Sequence, residues 1–219
     1  MPFSPLYFIF FFLILSFLLG ITQFGVVTLM LGKLGLTTGH AFLLLFGSLM
    51  GSAINIPLYT MVSVLPREPM EPVSYGLLRL PRQPFTGRTL ITINVGGAVI
   101  PVVFSLYLLA HSGLNFFEVL LAIALVTIIS YRFSRPLAGL GIGMPILIAP
   151  LAAAVIALII NPEQSPPLAY ISGTLGVLVG ADLMRLKDVR TLGTPLASIG
   201  GAGTFDGIFI TGIIAVLLT

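Results

Sequence analysis

The chain has 219 residues, 57% hydrophobic and only 8% charged, with a mean hydropathy of +1.13; a soluble domain carries roughly 25% charged residues, so this composition describes a polytopic membrane protein. Cysteine is absent, which excludes a disulfide framework and a thiolate metal site, and His40 and His111 alone argue against a histidine zinc site. The net charge of +3 comes from short basic clusters between apolar runs, a pattern that reports topology rather than nucleic-acid binding.

A spanning helix needs about 20 largely apolar residues. Charges and Gly/Pro clusters divide the chain into seven such runs, near 6–31, 40–65, 90–110, 115–131, 137–160, 167–184 and 200–218. The expected fold class is therefore all-α: a polytopic transmembrane helix bundle of about seven helices, a single transmembrane domain over 1–219 in a cell membrane. The first run, PFSPLYFIFFFLILSFLLG, has no basic leader and no small-residue cleavage site, and its apolar stretch is too long for a signal peptide, so it is expected to stay in the mature protein.

Lysine and arginine mark the cytoplasmic side. The connection 66–89 holds Arg67, Arg79, Arg82 and Arg88; 132–136 holds Arg132 and Arg135; 185–191 holds Arg185, Lys187 and Arg190. These are alternate loops, and the others hold almost nothing beyond Lys33. Seven helices with those loops inside give a cytoplasmic N-terminus and an external C-terminus. The long connection PREPMEPVSYGLLRLPRQPFTGR is rich in Pro and Arg and reads as a cytoplasmic loop whose arginines meet anionic lipid head groups. SAINIPLYTMVSVLP, NVGGAVIPVVFSLYLL and GIGMPILIAPLAAAVIALI share a Gly/Asn-then-Pro interruption but no common register.

An ionisable residue inside a bilayer costs several kcal/mol on insertion scales, so it normally faces protein and has a role. Glu118, Asp182 and Asp206 are the acids within apolar runs. Glu118 lies at the outer start of its helix, where water reaches it. Asp182, in TLGVLVGADLMRLK, has a bland reading as a helix-end acid paired with Arg185 or a loop arginine such as Arg79. Asp206 sits in GGAGTFDGIFITG, after Pro195 and glycines 193, 200, 201 and 203, which favour irregular backbone. If the last helix starts near Gly200, Asp206 lies about two turns in from the cytoplasm and Asp182 about one turn in on the preceding antiparallel helix. Their carboxyls then reach similar depth. Two facing carboxyls in a low-dielectric site share a proton, so one activates water while the other hydrogen-bonds a scissile carbonyl.

An Asp near the cytoplasmic end of one helix, a basic loop, then Gly201-Ala202-Gly203 and Asp206 at the start of the next helix resembles the presenilin and signal-peptide-peptidase intramembrane aspartyl proteases and the prepilin peptidases. Pro195-Leu196-Ala197 resembles a Pro-Ala-Leu element of those proteases. That resemblance implies an Asp182/Asp206 dyad, with Gly201, Gly203 and the Pro195 segment shaping the approach of a transmembrane peptide substrate. Along SAINIPL, NVGGAVIP, GIGMPILIAP, GADL and GGAGTFDGIF the chain looks closer to an uncharacterised family of prokaryotic polytopic membrane proteins, a resemblance that implies no activity.

Other chemistries fare worse. HExxH and a Walker A motif are absent, and neither histidine lies deep enough to activate a serine. No metal or cofactor is expected, and the expected partners are membrane lipids and a transmembrane peptide, with no nucleic acid. A proton- or sodium-coupled transporter or channel stays open as an alternative, because Asn55 with Pro57, Asn94 with Gly96, Gly97 and Pro101, and Gly141 to Pro150 are placed to break three helices near the bilayer middle. Asn55 and Asn94 read first as interhelical hydrogen-bonding residues, which also suits support of the aspartates from behind. A non-catalytic membrane scaffold is the third reading.

Overall fold

The computed structural model describes residues 11–16, 20, 32–63, 87–137, 141–201 and 207–219. Residues 11–16 are helical, whereas most of the expected 6–31 helix and most of the 66–89 connection lie outside the described residues.

Helix α1 spans Thr38–Gly51, and its start is set by Thr37, whose hydroxyl accepts from the His40 backbone N–H. The sequence suggested that this helix continues to 65. It ends instead at Gly51, and Asn55–Val62 forms strand β1. Pro57 explains the change: it donates no backbone hydrogen bond and drives Ile56 into an extended conformation. β1 pairs antiparallel with β2, Arg88–Asn94, in a register that sets Asn55 opposite Asn94 and Val62 opposite Arg88. A bulge between Pro57 and Tyr59 accommodates the proline on this edge strand. Strand β5, Leu196–Ile199, adds in parallel to the other side of β2, giving the order β1-β2-β5. The central strand is the most buried, with Ile91, Thr92 and Asn94 inside.

The all-α expectation is thus corrected to a mainly helical fold with a three-stranded sheet and a two-stranded one. RTLITIN is rich in β-branched Thr and Ile, which favour a strand, but the short apolar runs around it cannot be told from a buried helix by periodicity alone. A second correction concerns the helix expected at 137–160. Arg135–Leu137 (β3) and Gly141–Gly143 (β4) form a hairpin, and the helix starts at Ile148. Gly141 has φ +118 and Pro145 follows, which together hold off helix formation.

From β2 the chain passes through a π-helical turn, Val95–Val99, into α2, Ile100–His111. Helix α3, Phe116–Phe133, is capped by Asn115 and is the one described helix long and apolar enough to cross a membrane. Then come α4 (Ile148–Ile160), α5 (Ser165–Val177), a second π-helical turn (Leu178–Leu183), a 3-10 turn (Asp188–Thr191), β5 and α6 (Gly207–Leu218).

Helix α5 is the axis of the bundle. It is buried on nearly every face, with Leu168, Ala169, Tyr170 and Ile171 fully enclosed, and it packs against α2, α3, α4 and α6. Small residues permit this. A Cβ on Gly173 would meet Ala153 and Thr211, and one on Gly176 would meet Val126 at 2.6 Å. The surrounding helices instead leave large apolar side chains on their outer faces, among them Val103, Phe117, Ile128, Val155 and Ile159.

Candidate functional site

The two π-helical turns converge on one glycine. The second turn carries Asp182, and it lies against α3 because residue 180 is glycine: a Cβ there would stand 3.0 Å from both the Ser130 Cβ and the Tyr131 nitrogen. A π turn inserts one residue into the helical ladder and re-aims the side chains that follow it, a distortion often found at functional sites. Asp182 is half-buried, and its Oδ2 accepts a hydrogen bond from the backbone N–H of Gly200 at 2.8 Å.

Gly200 ends strand β5 with φ +79, and Gly201 follows with φ +84. This pair of left-handed residues keeps Gly200 and Gly201 out of the helix expected from 200, whose described part is Gly207–Leu218. The other face of Gly200 abuts the first π turn, where its Cα approaches Ala98 and its carbonyl oxygen approaches Gly97. Both contacts need glycine.

Asn94 holds the first π turn in place. It is fully buried, its Oδ1 accepts from the Gly97 N–H at 2.7 Å, and its Nδ2 donates to the Ser52 carbonyl at 2.7 Å and to Asn55 Oδ1 at 3.1 Å. The Gly97 donor fixes which side-chain atom is oxygen. Ser198 on β5 donates from its hydroxyl to the same Asn55 oxygen at 2.7 Å. Two hydrogen-bonded groups therefore meet in close packing at Gly200 and Gly97: Asp182 with Gly200 on one side, and Gly97 with Asn94, Asn55 and Ser198 on the other.

Asn55 and Asn94 bond each other from strand ends and not from two helices, as the sequence suggested. Pro195 lies at the entry of β5, where its carbonyl accepts from the Leu90 N–H at 3.0 Å, so this segment is sheet edge and not helix. Gly201 continues from the Asp182-bound glycine. Gly203 and Asp206 lie outside the described residues. The bland pairing of Asp182 with Arg185 is replaced by another arrangement: Arg185 pairs with Asp188 at 3.0 Å, donates to the Ser134 hydroxyl and to the carbonyls of Tyr131 and Ser134, and stacks on the Tyr131 ring at 4.1 Å. It thereby closes the C-terminus of α3.

Sequence reasoning missed Ser52 and Ser198, and read Gly97 only as part of a helix break. For Gly97 a signal existed, since Asn94 followed by Gly96-Gly97 reads as a capping residue with room behind it. Nothing in the sequence marks Ser198 or the π turns. Among the described residues no group of three His, Cys, Asp or Glu side chains is placed to hold a metal ion.

A mainly helical fold, with a small sheet that carries a polar cluster at its strand ends and presents the Gly200 backbone N–H to a carboxylate on a distorted helix, is the class this architecture defines. The chain belongs to the family described as "Protein of unknown function (DUF1614)", whose model matches residues 49–218 and so includes both π turns, the sheet and α6. No curated protein and no solved structure matches it.

Proposed function

We propose that the protein is a multi-spanning membrane hydrolase of the intramembrane aspartyl protease kind, with Asp182 and Asp206 as its acid and base. One observation supports the reading: Gly200, upstream of Asp206, bonds Asp182, and Ile208, downstream of it, shares a buried cluster with Ala181. Upstream, Gly200 donates its N–H to the Asp182 carboxylate. Downstream, Ile208 belongs to the same buried cluster as Ala181, the residue before Asp182, and Val177, five residues before it. Asp206 is separated from Ile208 by one residue, and two residues of chain span at most about 7 Å.

In this reading one ionised carboxylate takes a proton from water as the water oxygen attacks the scissile carbonyl carbon. The protonated partner donates to the carbonyl oxygen, and collapse of the tetrahedral intermediate passes a proton to the leaving amine. Gly201 and Gly203 let a substrate backbone approach, and Asn55, Asn94 and the Pro195 segment brace the loop that carries them. The substrate is a transmembrane peptide. The apolar outer faces of α2, α3 and α4 supply the lipid contact, and the alternating basic loops supply the orientation, with the N-terminus cytoplasmic and the C-terminus external.

The test is a photoreactive hydroxyethylene dipeptide isostere, whose hydroxyl mimics the tetrahedral intermediate, applied to the protein in vesicles. The expected result is labelling that the unlabelled isostere displaces and that Asp182→Asn and Asp206→Asn each abolish. Labelling retained by both variants would sink the dyad.

A second reading, ion-coupled transport, draws on a separate observation. The helices expected through Asn55 and through Asn94 give way to strands at that hydrogen-bonded pair, and the buried hydroxyls of Ser48 on α1 and Thr92 on β2 have no hydrogen-bond partner among the described residues. Proton- or sodium-driven solute flux in sealed vesicles, lost in Asn94→Ala and without peptide cleavage, would favour it.

A further inference from the structure

Outside the Asp182 junction, the sheet and the turn that follows α5 enclose a cleft of about 500 Å³. One wall is the far end of β1, with Tyr59, Thr60, Met61 and Val62; the other is Leu186, Lys187 and Arg190. The charges are unbalanced. Asp188, the acid of this turn, is ion-paired with Arg185, and among the described residues no carboxylate pairs with Lys187 or Arg190. Two exposed cations therefore border a recess that also offers a phenol and a threonine hydroxyl. The recess has an apolar side as well. Val62 is 74% exposed, and Ile56, Leu58 and Tyr59 are exposed along the same edge strand.

An anionic phosphate would be recognised here by paired cations and hydroxyl donors. The exposed apolar strand beside the cations points to the source of that phosphate, because free phosphate has no use for it whereas an acyl chain does. We propose that this cleft binds the phosphodiester head group of an anionic phospholipid, with Lys187 and Arg190 on the phosphate and an acyl chain against the exposed face of β1 that carries Pro57 and Val62. The site is distinct from the diffuse attraction of the remaining arginines, since it joins two segments far apart in sequence and has a concave shape. It also fits the side of the membrane on which the basic loops lie. Because β1 leads at its other end into Asn55, an occupied cleft would steady the strand that braces the polar junction. The inference rests on membrane insertion but not on the aspartates being catalytic.

The experiment uses the whole chain in neutral detergent with a photoreactive phosphatidylglycerol, read by mass spectrometry of the cross-linked peptides and by thermal shift. The expected result is cross-linking within residues 56–62, competed by phosphatidylglycerol and not by phosphatidylcholine. Affinity should be about 30-fold weaker in the double variant Lys187→Ala/Arg190→Ala at low salt, from the usual contribution of each cation near an anionic lipid. The same loss on Arg190→Glu, with near-normal binding by Lys187→Arg, keeps the result tied to charge. Competition by millimolar inorganic phosphate in place of the lipid would keep the anion site and overturn its lipid source. An equal loss in the control Arg132→Ala/Arg135→Ala, or unchanged binding in the double variant, would overturn the cleft itself. Asp182→Asn should bind the lipid normally, so failure here and failure of the hydrolase reading are separable.

Discussion

Replacing Gly200 with alanine should damage the junction in two ways. Its φ of +79 is a left-handed conformation that costs an L-residue with a Cβ roughly 1–2 kcal/mol. The new methyl would also stand 2.6 Å from the Ala98 Cβ and 2.7 Å from the Ala98 nitrogen. Carbon atoms rest about 3.5–4.0 Å apart, so strand β5 or the π turn must yield by about 1 Å. Overpacking of this kind costs roughly 1–3 kcal/mol, giving an expected loss of about 2–5 kcal/mol in all. The same movement matches the margin between the 2.8 Å Gly200–Asp182 hydrogen bond and its rupture beyond about 3.5 Å. Denaturant titration of the purified protein in mixed micelles measures the stability, with Gly47→Ala as its control. The methyl at Gly47 would find only the Ile100 Cδ1 at 3.9 Å, inside a helix where alanine gains about 0.5–1 kcal/mol over glycine. A Gly200→Ala protein within about 0.5 kcal/mol of wild type, the ordinary range for a surface change, would refute this description of the junction.

Three other outcomes are expected. Asn94→Ala removes the cap of the first π turn and leaves the Gly97 N–H and the Ser52 carbonyl buried without it, so stability should fall by roughly 2–4 kcal/mol in the same titration; an effect under about 0.5 kcal/mol would refute its bracing role. Arg185→Ala should lower the thermal midpoint, and Arg185→Lys should recover less than half of the loss, because a single ammonium cannot reach Asp188 and the Tyr131 and Ser134 carbonyls together; full recovery by lysine would show that charge alone matters. In a chain without native cysteine, His111→Cys and Glu163→Cys should react with an impermeant maleimide from outside intact cells, and Lys187→Cys only after permeabilisation; labelling of all three from one side would overturn the multi-spanning topology.

How much of this was legible in the sequence differs between elements. The apolar runs near 115–131 and 167–184 stand close to α3 and to α5 with its π turn, because long uninterrupted hydrophobic stretches leave few alternatives. β1 and β2 were not legible in the same way. NIPLYTMV and RTLITIN sit within stretches apolar enough to read as helix; Pro57 favours extended backbone in β1, and β2 pairs both with β1 and with β5, a partner more than 100 residues away that no local pattern announces. At the site, Asn55, Asn94 and Asp182 stood out as polar groups in greasy surroundings, and three of the four residues completing their contacts, Gly97, Gly200 and Ser198, come from a π turn or from a strand and its end. Glycine at 200 announced a break but not the left-handed turn that returns the chain to Asp182. Arg185 illustrates the limit from the other side, since spacing alone offered it Asp182, whereas the C-terminal carbonyls of α3 and Asp188 claim its donors.

The facing of Asp182 and Asp206 is tested most directly by distance. In the otherwise cysteine-free chain, Asp182→Cys/Asp206→Cys can be treated in vesicles with an oxidant and with a short bifunctional thiosulfonate, and the linked peptides read by mass spectrometry. A direct disulfide requires Cβ atoms about 3.5–4.5 Å apart, and the short reagent extends that reach to a pair separated by one water. The account predicts an intramolecular cross-link in high yield. Two cysteines that each react with a small maleimide, yet never with one another, would contradict it.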